Sequence, residues 1–449
     1  MKIKFILPRI IEANANGYRP IKYSLFPPLG LATLAHYIAS DDEAEIVDEH
    51  VETLRIDDEP DLVAIEVYVT CAYRAYAIAD SYRKRGIHVV MGGLHVTAMP
   101  EEAAEHADTI ITGPGEEAFP RFLADFRADI AQKHYASRDR SLDPFPTPRR
   151  DLIKKQNYLV PNSLTVSRGC PFTCNFCYKE NFLRGGKTFY RASLDAAMQE
   201  ISSLDGKHVF FLDDNIFADE KFAFDLFREM APLKKVWQGA ATVKSLKNRK
   251  LLEAAANAGA GSLFIGFESL NADSLKHHGK LHNNLADYED AIKAVHSNAV
   301  MINSSFVYGM ECDGPDTFKR TVDWGVKMGL ETATFHILTP YPGSELFNAY
   351  KRDNRITTEN WDLYDTRHCV FKHPTLSARE LEDGYMQSYE NFYSWKSIIS
   401  SSLANETLSH KLRHFTYSVA WKKFEFFWRM VIAAKKLSIA TPILERVLK

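Results

Sequence analysis

Short uninterrupted apolar runs alternate along this chain with stretches in which apolar residues recur at about every third or fourth position. Before about residue 135 the runs predict strands at Ile3 to Leu7, Glu45 to Val47, Leu62 to Val67, His88 to Met91 and Thr109 to Ile111. The periodic stretches predict helices at Leu29 to Ile38, Arg74 to Arg85 and Glu116 to Phe126. Strands read as continuous apolar runs when helices cover both faces of a parallel sheet, so residues 1–134 are expected to form a flavodoxin-like, doubly wound α/β domain. Ligands of such sheets bind beyond the carboxyl ends of the strands. The segments there include Pro8 to Gly30, Val69 to Tyr73, Gly92-Gly93-Leu94-His95 and Gly113-Pro114-Gly115-Glu116. Paired glycines after a strand let a ligand or another backbone approach closely.

A proline-rich stretch, Asp143-Pro144-Phe145-Pro146-Thr147-Pro148, makes residues 135–163 a stiff linker. The alternation then resumes. Strands are expected at Leu164 to Val166, Val209 to Leu212, Val236 to Thr242, Ser262 to Phe267, Ile302 to Tyr308 and Thr332 to Leu338. Helices between them fit Leu194 to Leu204, Lys221 to Met230, Lys250 to Asn257, Asp287 to His296 and Asp316 to Met328. Such a series over residues 164–345 predicts a partial (β/α)6 barrel, short of the closed eight-stranded form, with its chemistry at the carboxyl ends of the strands. Residues 346–449 read as a helical carboxyl-terminal region.

Composition adds mostly exclusions. A length of 449 residues suits two or three domains, and a formal net charge of −3 gives no reason to expect nucleic acid as a partner. No apolar run approaches the roughly 20 residues of a membrane span. The start, Met-Lys-Ile-Lys-Phe-Ile-Leu-Pro, reads as a strand and lacks the pattern of a signal peptide. A cytoplasmic location is expected, where thiols stay reduced.

The chemistry is concentrated in Ser-Arg-Gly-Cys-Pro-Phe-Thr-Cys-Asn-Phe-Cys-Tyr, where Cys170, Cys174 and Cys177 follow the first barrel strand. Closed structural zinc needs four ligands, and Cys71, Cys312 and Cys369 are isolated along the chain. An odd number of thiols in so short a run cannot pair as disulfides. Three converging thiolates without a fourth fit a [4Fe-4S] cluster with one iron left open.

With Tyr178 directly after the last cysteine, this motif resembles the signature of the radical S-adenosylmethionine (SAM) superfamily. The resemblance implies that SAM chelates the open iron, that one electron from the cluster cleaves it to a 5′-deoxyadenosyl radical, and that a flavodoxin or ferredoxin supplies that electron. It places Tyr178 near the adenine, with a partly buried structural tyrosine as the alternative. Asp213 or Asp214, ending the second barrel strand, would hold the SAM amino group, against the alternative that Asp214 and Asn215 cap the next helix. Ile265-Gly266-Phe267-Glu268 is similar to the family's fourth-strand motif, in which Gly266 admits the adenosine and Glu268 faces the ribose or the carboxylate region. Lys244, Tyr308 and His336 fall near strand ends and read singly as structural.

The first domain, with Phe26-Pro27-Pro28-Leu29-Gly30-Leu31 and Gly92-Gly93-Leu94-His95, resembles the cobalamin-binding domain found ahead of many radical SAM enzymes. The cobalt-ligating Asp-x-His-x-x-Gly pattern is missing after the first strand. Asp48-Glu49-His50 lies elsewhere and lacks the glycine, so it is read as coincidence. Glu66 stands where the family usually has a small serine near the nucleotide tail. The resemblance implies cobalamin held without a protein histidine on cobalt, with Gly92, Gly93 and His95 beside it; a lone imidazole satisfied by backbone groups is the alternative for His95.

The expected function is therefore cobalamin-dependent C-methylation of an unactivated carbon in a hydrophobic, lipid-like or secondary-metabolite substrate. The alternatives are a cyclase or oxidoreductase without methyl transfer, and a cobalamin or cluster sensor. The tail mixes Phe424, Phe426, Phe427 and Trp428 with Lys422, Lys423, Arg429, Lys435 and Lys436. That composition fits either peripheral contact with an anionic membrane or an apolar face packed on the domain.

Overall fold

The computed structural model describes residues 1–10, 25–138, 140–423 and, singly, residues 431, 442, 445 and 448. Its first layer is a parallel sheet of β1 (Lys2–Leu7), β2 (Glu43–Asp48), β3 (Leu62–Glu66), β4 (His88–Gly92), β5 (Thr109–Thr112) and β6 (His134–Ala136), in the order β2-β1-β3-β4-β5-β6. The helices of this domain are α1 (Leu29–Leu34), α2 (Ala72–Arg83), α3 (Leu94–Ala98), α4 (Pro100–His106) and α5 (Gly115–Arg127). Two apolar clusters, one around Val63, Ile65 and Tyr82 and one around Phe5, Ala64 and Phe119, cover the two faces of the sheet. This is the expected doubly wound domain with a sixth strand added at its edge. That strand carries the sheet past the boundary placed at residue 134.

The second sheet comprises β7 (Ser163–Leu164), β10 (His208–Phe211), β11 (Val236–Ala241), β12 (Ala260–Glu268), β13 (Met301–Tyr308) and β14 (Thr332–Ile337), all parallel and in chain order from β7 to β14. Between β7 and β10 an antiparallel ribbon of β8 (Ser167–Gly169) and β9 (Phe189–Arg191) was not expected, and it frames the cysteine loop. Around the sheet run α6 (Tyr178–Phe182), α7 (Leu194–Ser203), α8 (Glu220–Met230), α9 (Arg249–Asn257), α10 (Ala272–His277), α11 (Tyr288–Ser297), α12 (Thr317–Lys327) and α13 (Glu345–Arg352). Side-chain caps start several of these helices: Ser193 accepts from Ala196 N, Asp219 from Phe222 N and Asn248 from Leu251 N. The residue capping α8 is thus Asp219, which removes the capping alternative for Asp214.

The chain after the barrel returns to the first domain before it turns helical. Tyr73 donates to Glu359 O at 3.1 Å, and Trp361 Nε1 donates to Glu102 at 3.0 Å. Then follow α14 (Ala378–Phe392), α15 (Trp395–Leu403) and α16 (Leu408–Lys422). The aromatic residues of this region cover the open edge of β14. Tyr393 Oη accepts from Ala333 N at 3.0 Å and donates to Ala333 O at 2.9 Å, while Tyr389 does the same for Phe335 at 3.1 and 3.3 Å. Two hydroxyls therefore satisfy backbone groups that an edge strand otherwise leaves free. Replacing Tyr393 by phenylalanine is expected to cost about 1–3 kcal/mol, read as a lower urea midpoint at unchanged slope. The basic aromatic stretch at 424–436 lies outside the described residues apart from residue 431. Among the described residues no helix is long and apolar enough to cross a membrane.

Candidate functional site

The cysteine loop leaves the barrel through β8, whose Gly169 has φ +83° and packs against Thr188 of the facing ribbon. Cys177 N donates to Cys174 O at 2.9 Å, and Asn175 N donates to His278 O at 3.2 Å. His278 is the anchor: its Nδ1 lies 3.0 Å from Asn175 Oδ1 and its Nε2 lies 2.9 Å from Glu311. Phe172, at the tip of the loop, stacks on His282 with centroids 3.8 Å apart and receives Lys244 Nζ at 5.5 Å. Burial pushes the Cys174 thiol up to about 12 and raises Cys177 as well, and Lys280 opposes the shift at Cys174. Thiols held protonated by burial become ligands only when metal charge replaces the proton. Among the described residues no three side chains gather as they would around one ion. The loop offers three thiols and no fourth ligand of its own, a donor set that fits a [4Fe-4S] cluster with one open iron better than a closed structural zinc site.

Glu268 and Lys280 form an ion pair beside this loop, with side chains only 11% and 9% exposed. Glu268 has φ +64°, and the register between β12 and β13 shifts at this point, a bulge that re-aims the side chain. A Cβ on Gly266 would collide with Glu268 Oε1 and meet Lys280 Nζ at 3.0 Å. Gly266 is therefore required first of all by the ion pair.

The two adjacent aspartates point to different places. Asp213 is buried, and its carboxylate accepts from Val166 N at 3.2 Å and from Ser167 N and Ser167 Oγ, each at 2.5 Å. It pins the end of β7 to the entry of the cysteine loop, and burial raises it to about 6. Of the two aspartates expected for SAM, Asp213 is thus engaged with Val166 and Ser167 and lines neither cavity described below. Asp214 lines a cavity instead, accepts from Gly169 N at 3.0 Å and pairs with Lys179 Nζ at 2.9 Å.

Two cavities occupy the space where the strand ends of the two sheets face each other. One, of roughly 310 Å3, runs from Gly30, Glu66 and Gly92 in the first domain to Gly169, Lys179 and Asp214 in the barrel. The other, of roughly 460 Å3, lies among Pro8, His50, Cys71, His95, Tyr341 and Asp365. Tyr68, Leu94 and Tyr178 belong to the walls of both. Tyr178 opens α6 directly after Cys177 and is 37% exposed, so the residue following the third cysteine stands between the cavities.

The glycine cradle expected in the first domain is present but is used in part by the protein itself. Gly93 has φ +110°, and a Cβ there would come within 2.9 Å of Val67 O, so its close approach is to backbone. Gly92 keeps ordinary clearance from Ile111, and Gly30 lies against Glu66. These apolar and glycine walls at the strand ends suit the flat, narrow base of a cobalamin nucleotide. His95 is buried, with Nε2 at 3.0 Å from Tyr76 Oη and 3.3 Å from Glu102, so side chains rather than backbone engage that nitrogen, while Nδ1 has no partner among the described residues. His50, dismissed as coincidence, lies on the wall of the larger cavity with Nδ1 2.8 Å from Asp48. Tyr308 is buried and donates to Ser388 at 2.9 Å, as a structural residue does. Arg168, bound to Glu116 of α5 at 3.0 Å, ties the cysteine-loop ribbon to the first domain. Sequence reasoning singled out neither Arg168 nor Lys179 nor Lys280. For Arg168 and Lys179, adjacency to the cysteines was the only available signal.

Residues 23–123 match the B12 binding domain, and residues 164–325 match the radical SAM superfamily. The chain is 30% identical over 352 residues to bacteriochlorophyllide d C-12(1)-methyltransferase of Chlorobaculum tepidum, covering 76% of either chain. It is 27% identical over 417 residues to bacteriochlorophyllide d C-8(2)-methyltransferase of the same organism, covering 88% of this chain and 91% of the relative. Its fold is shared with the radical SAM methyltransferase TsrM from Kitasatospora setae, solved with cobalamin and a [4Fe-4S] cluster bound. There the TM-score is 0.68 at 13% identity, over 98% of this chain and 99% of that one.

Proposed function

This chain belongs to the family of radical SAM enzymes that carry a B12-binding domain, and from that premise we propose that it methylates a carbon of a largely apolar, flat substrate. The first candidate is a bacteriochlorophyllide-type tetrapyrrole, the substrate class named for its relatives. As a member of this family it works with a [4Fe-4S] cluster, SAM and cobalamin. When bound, the cluster supplies the electron that cleaves SAM and the corrinoid serves as methyl carrier.

The remaining roles fall to the chain's own side chains. Cys170, Cys174 and Cys177 hold three corners of the cluster, and Asn175, with His278 and Glu311 behind it, fixes the loop that presents them. Asp214 offers a carboxylate to the SAM ammonium, with Lys179 orienting it. Glu268, held by Lys280, faces the SAM side of the loop. Tyr178, on the wall shared by the two cavities and next to the cysteine loop, narrows the passage between them and keeps stray water out of it. A flavodoxin or ferredoxin is the proposed reductant. The observation that carries the reading is the position of Tyr178: one residue after the third cysteine, it lines both cavities between the domains.

The test is anaerobic incubation of the reconstituted protein with bacteriochlorophyllide d, SAM and a low-potential reductant, with and without cobalamin. A product heavier by one methylene, formed only with cobalamin and labelled from methyl-labelled SAM, is expected. A converted product without label would establish the cyclase or oxidoreductase alternative instead.

A further inference from the structure

The cavity that reaches into the first domain is apolar along most of its inner wall, with Leu31, Ala64, Ile65, Val90 and Ile111 around it. One ionisable group from that sheet interrupts it. Glu66, the last residue of β3, projects into the slot opposite Gly30, where a Cβ would come within 3.1 Å of Oε1. Its Oε1 accepts from Tyr68 Oη at 3.1 Å, whereas Oε2 has no hydrogen-bond partner among the described residues. A carboxyl oxygen left open in an apolar slot is costly unless the occupant supplies a partner. The cofactor reading above puts the lower base of a cobamide in this slot, and the present inference rests on that reading.

We propose that Glu66 selects the lower base of the corrinoid, favouring an adenine-type edge, a ring nitrogen beside an exocyclic amine, over 5,6-dimethylbenzimidazole. A carboxylic acid pairs with such an edge through two hydrogen bonds: its O–H donates to the ring nitrogen and its C=O accepts from the amine. Dimethylbenzimidazole carries no amine and offers a single ring nitrogen, so it satisfies Glu66 at most in part. The acid form is accessible near neutral pH. Burial raises Glu66 to about 6, the hydrogen bond from Tyr68 opposes the shift, Asp48 and Glu116 add to it and Arg168 opposes it. Above that pH the carboxylate loses its donor, and with it half of the pair.

The experiment compares adeninyl cobamide with dimethylbenzimidazolyl cobamide by equilibrium absorbance titration of the purified full chain. It uses wild type, Glu66→Gln and Glu66→Leu at about pH 5.5 and about pH 8. Wild type is expected to prefer the adeninyl form by at least about tenfold at the lower pH and to lose most of that preference at the higher. Glu66→Gln, whose amide pairs with adenine in either condition, should keep the preference at both. Glu66→Leu should abolish it while still binding both cobamides, which also reports that the variant is folded. Equal affinities in wild type at the lower pH, or an unchanged ratio in Glu66→Leu, would overturn the proposal and leave the cofactor reading standing. Failure of wild type to bind either cobamide would overturn both. SAM carries an adenine of its own, so its affinity is measured in parallel. It should be unchanged in Glu66→Leu, and a loss there would reassign Glu66 to SAM.

Discussion

Replacing Cys174 by alanine is expected to reduce 5′-deoxyadenosine formation to background, a loss of more than about a thousandfold. The thiol has no substitute nearby. Cys174 lies in the segment fixed by backbone and side-chain contacts from Asn175 to His277 and His278. On the proposed ligand assignment, removing it takes away one corner of the cluster, while Cys170 and Cys177 remain and cannot hold the cube between them. The variant should therefore bind less iron after anaerobic reconstitution and lose the broad absorbance of the cluster. Cys312→Ala is the control, because that thiol is exposed and lies outside the loop. It should retain full iron and full SAM cleavage. Cleavage persisting in Cys174→Ala would contradict the ligand assignment.

Lys280→Met is expected to destabilise the protein by about 3–5 kcal/mol, because it leaves the Glu268 carboxylate buried without its counter-ion. The backbone gives Glu268 no easy retreat, since its positive φ at the bulge is held by the packing around it. Glu268→Gln in the same background should restore much of the stability, an uncharged amide tolerating burial far better than an unpaired carboxylate. Thermal unfolding under anaerobic conditions reads the first effect and the double variant reads the second. SAM affinity separates structure from function here. If Glu268 faces SAM as proposed, the double variant regains its melting temperature and still binds SAM weakly. Recovery of both would make the pair a purely structural support of the cysteine loop.

The barrel was legible nearly residue by residue. Its strands are largely buried, so residues 209–211 and 263–267 appear in the sequence as apolar runs. The ribbon of β8 and β9 was not, because three-residue strands on either side of a loop carry no periodicity to detect. The cysteine spacing pointed directly to the proposed cluster ligands, yet nothing local pointed to Lys280 or His278, which reach the loop from about a hundred residues downstream through the end of α10. Asp213 and Asp214 were equivalent in the sequence. Successive residues at a strand end face opposite ways, and only the fold decides that Asp213 turns to Ser167 and Asp214 to the cavity. His50 was set aside for lack of a motif, although it lies just past the end of β2, on the wall of the larger cavity. Position relative to the strand ends was there the better guide.

One chain seating an iron–sulfur cluster and a corrinoid together, between the strand ends of its two sheets, is the claim on which the rest depends. Metal analysis of the anaerobically reconstituted, gel-filtered protein reaches it without any substrate. About four iron atoms and about one cobalt per chain, both retained through the column, are predicted. Iron without cobalt, cobalt without iron, or binding of one that displaces the other would contradict it.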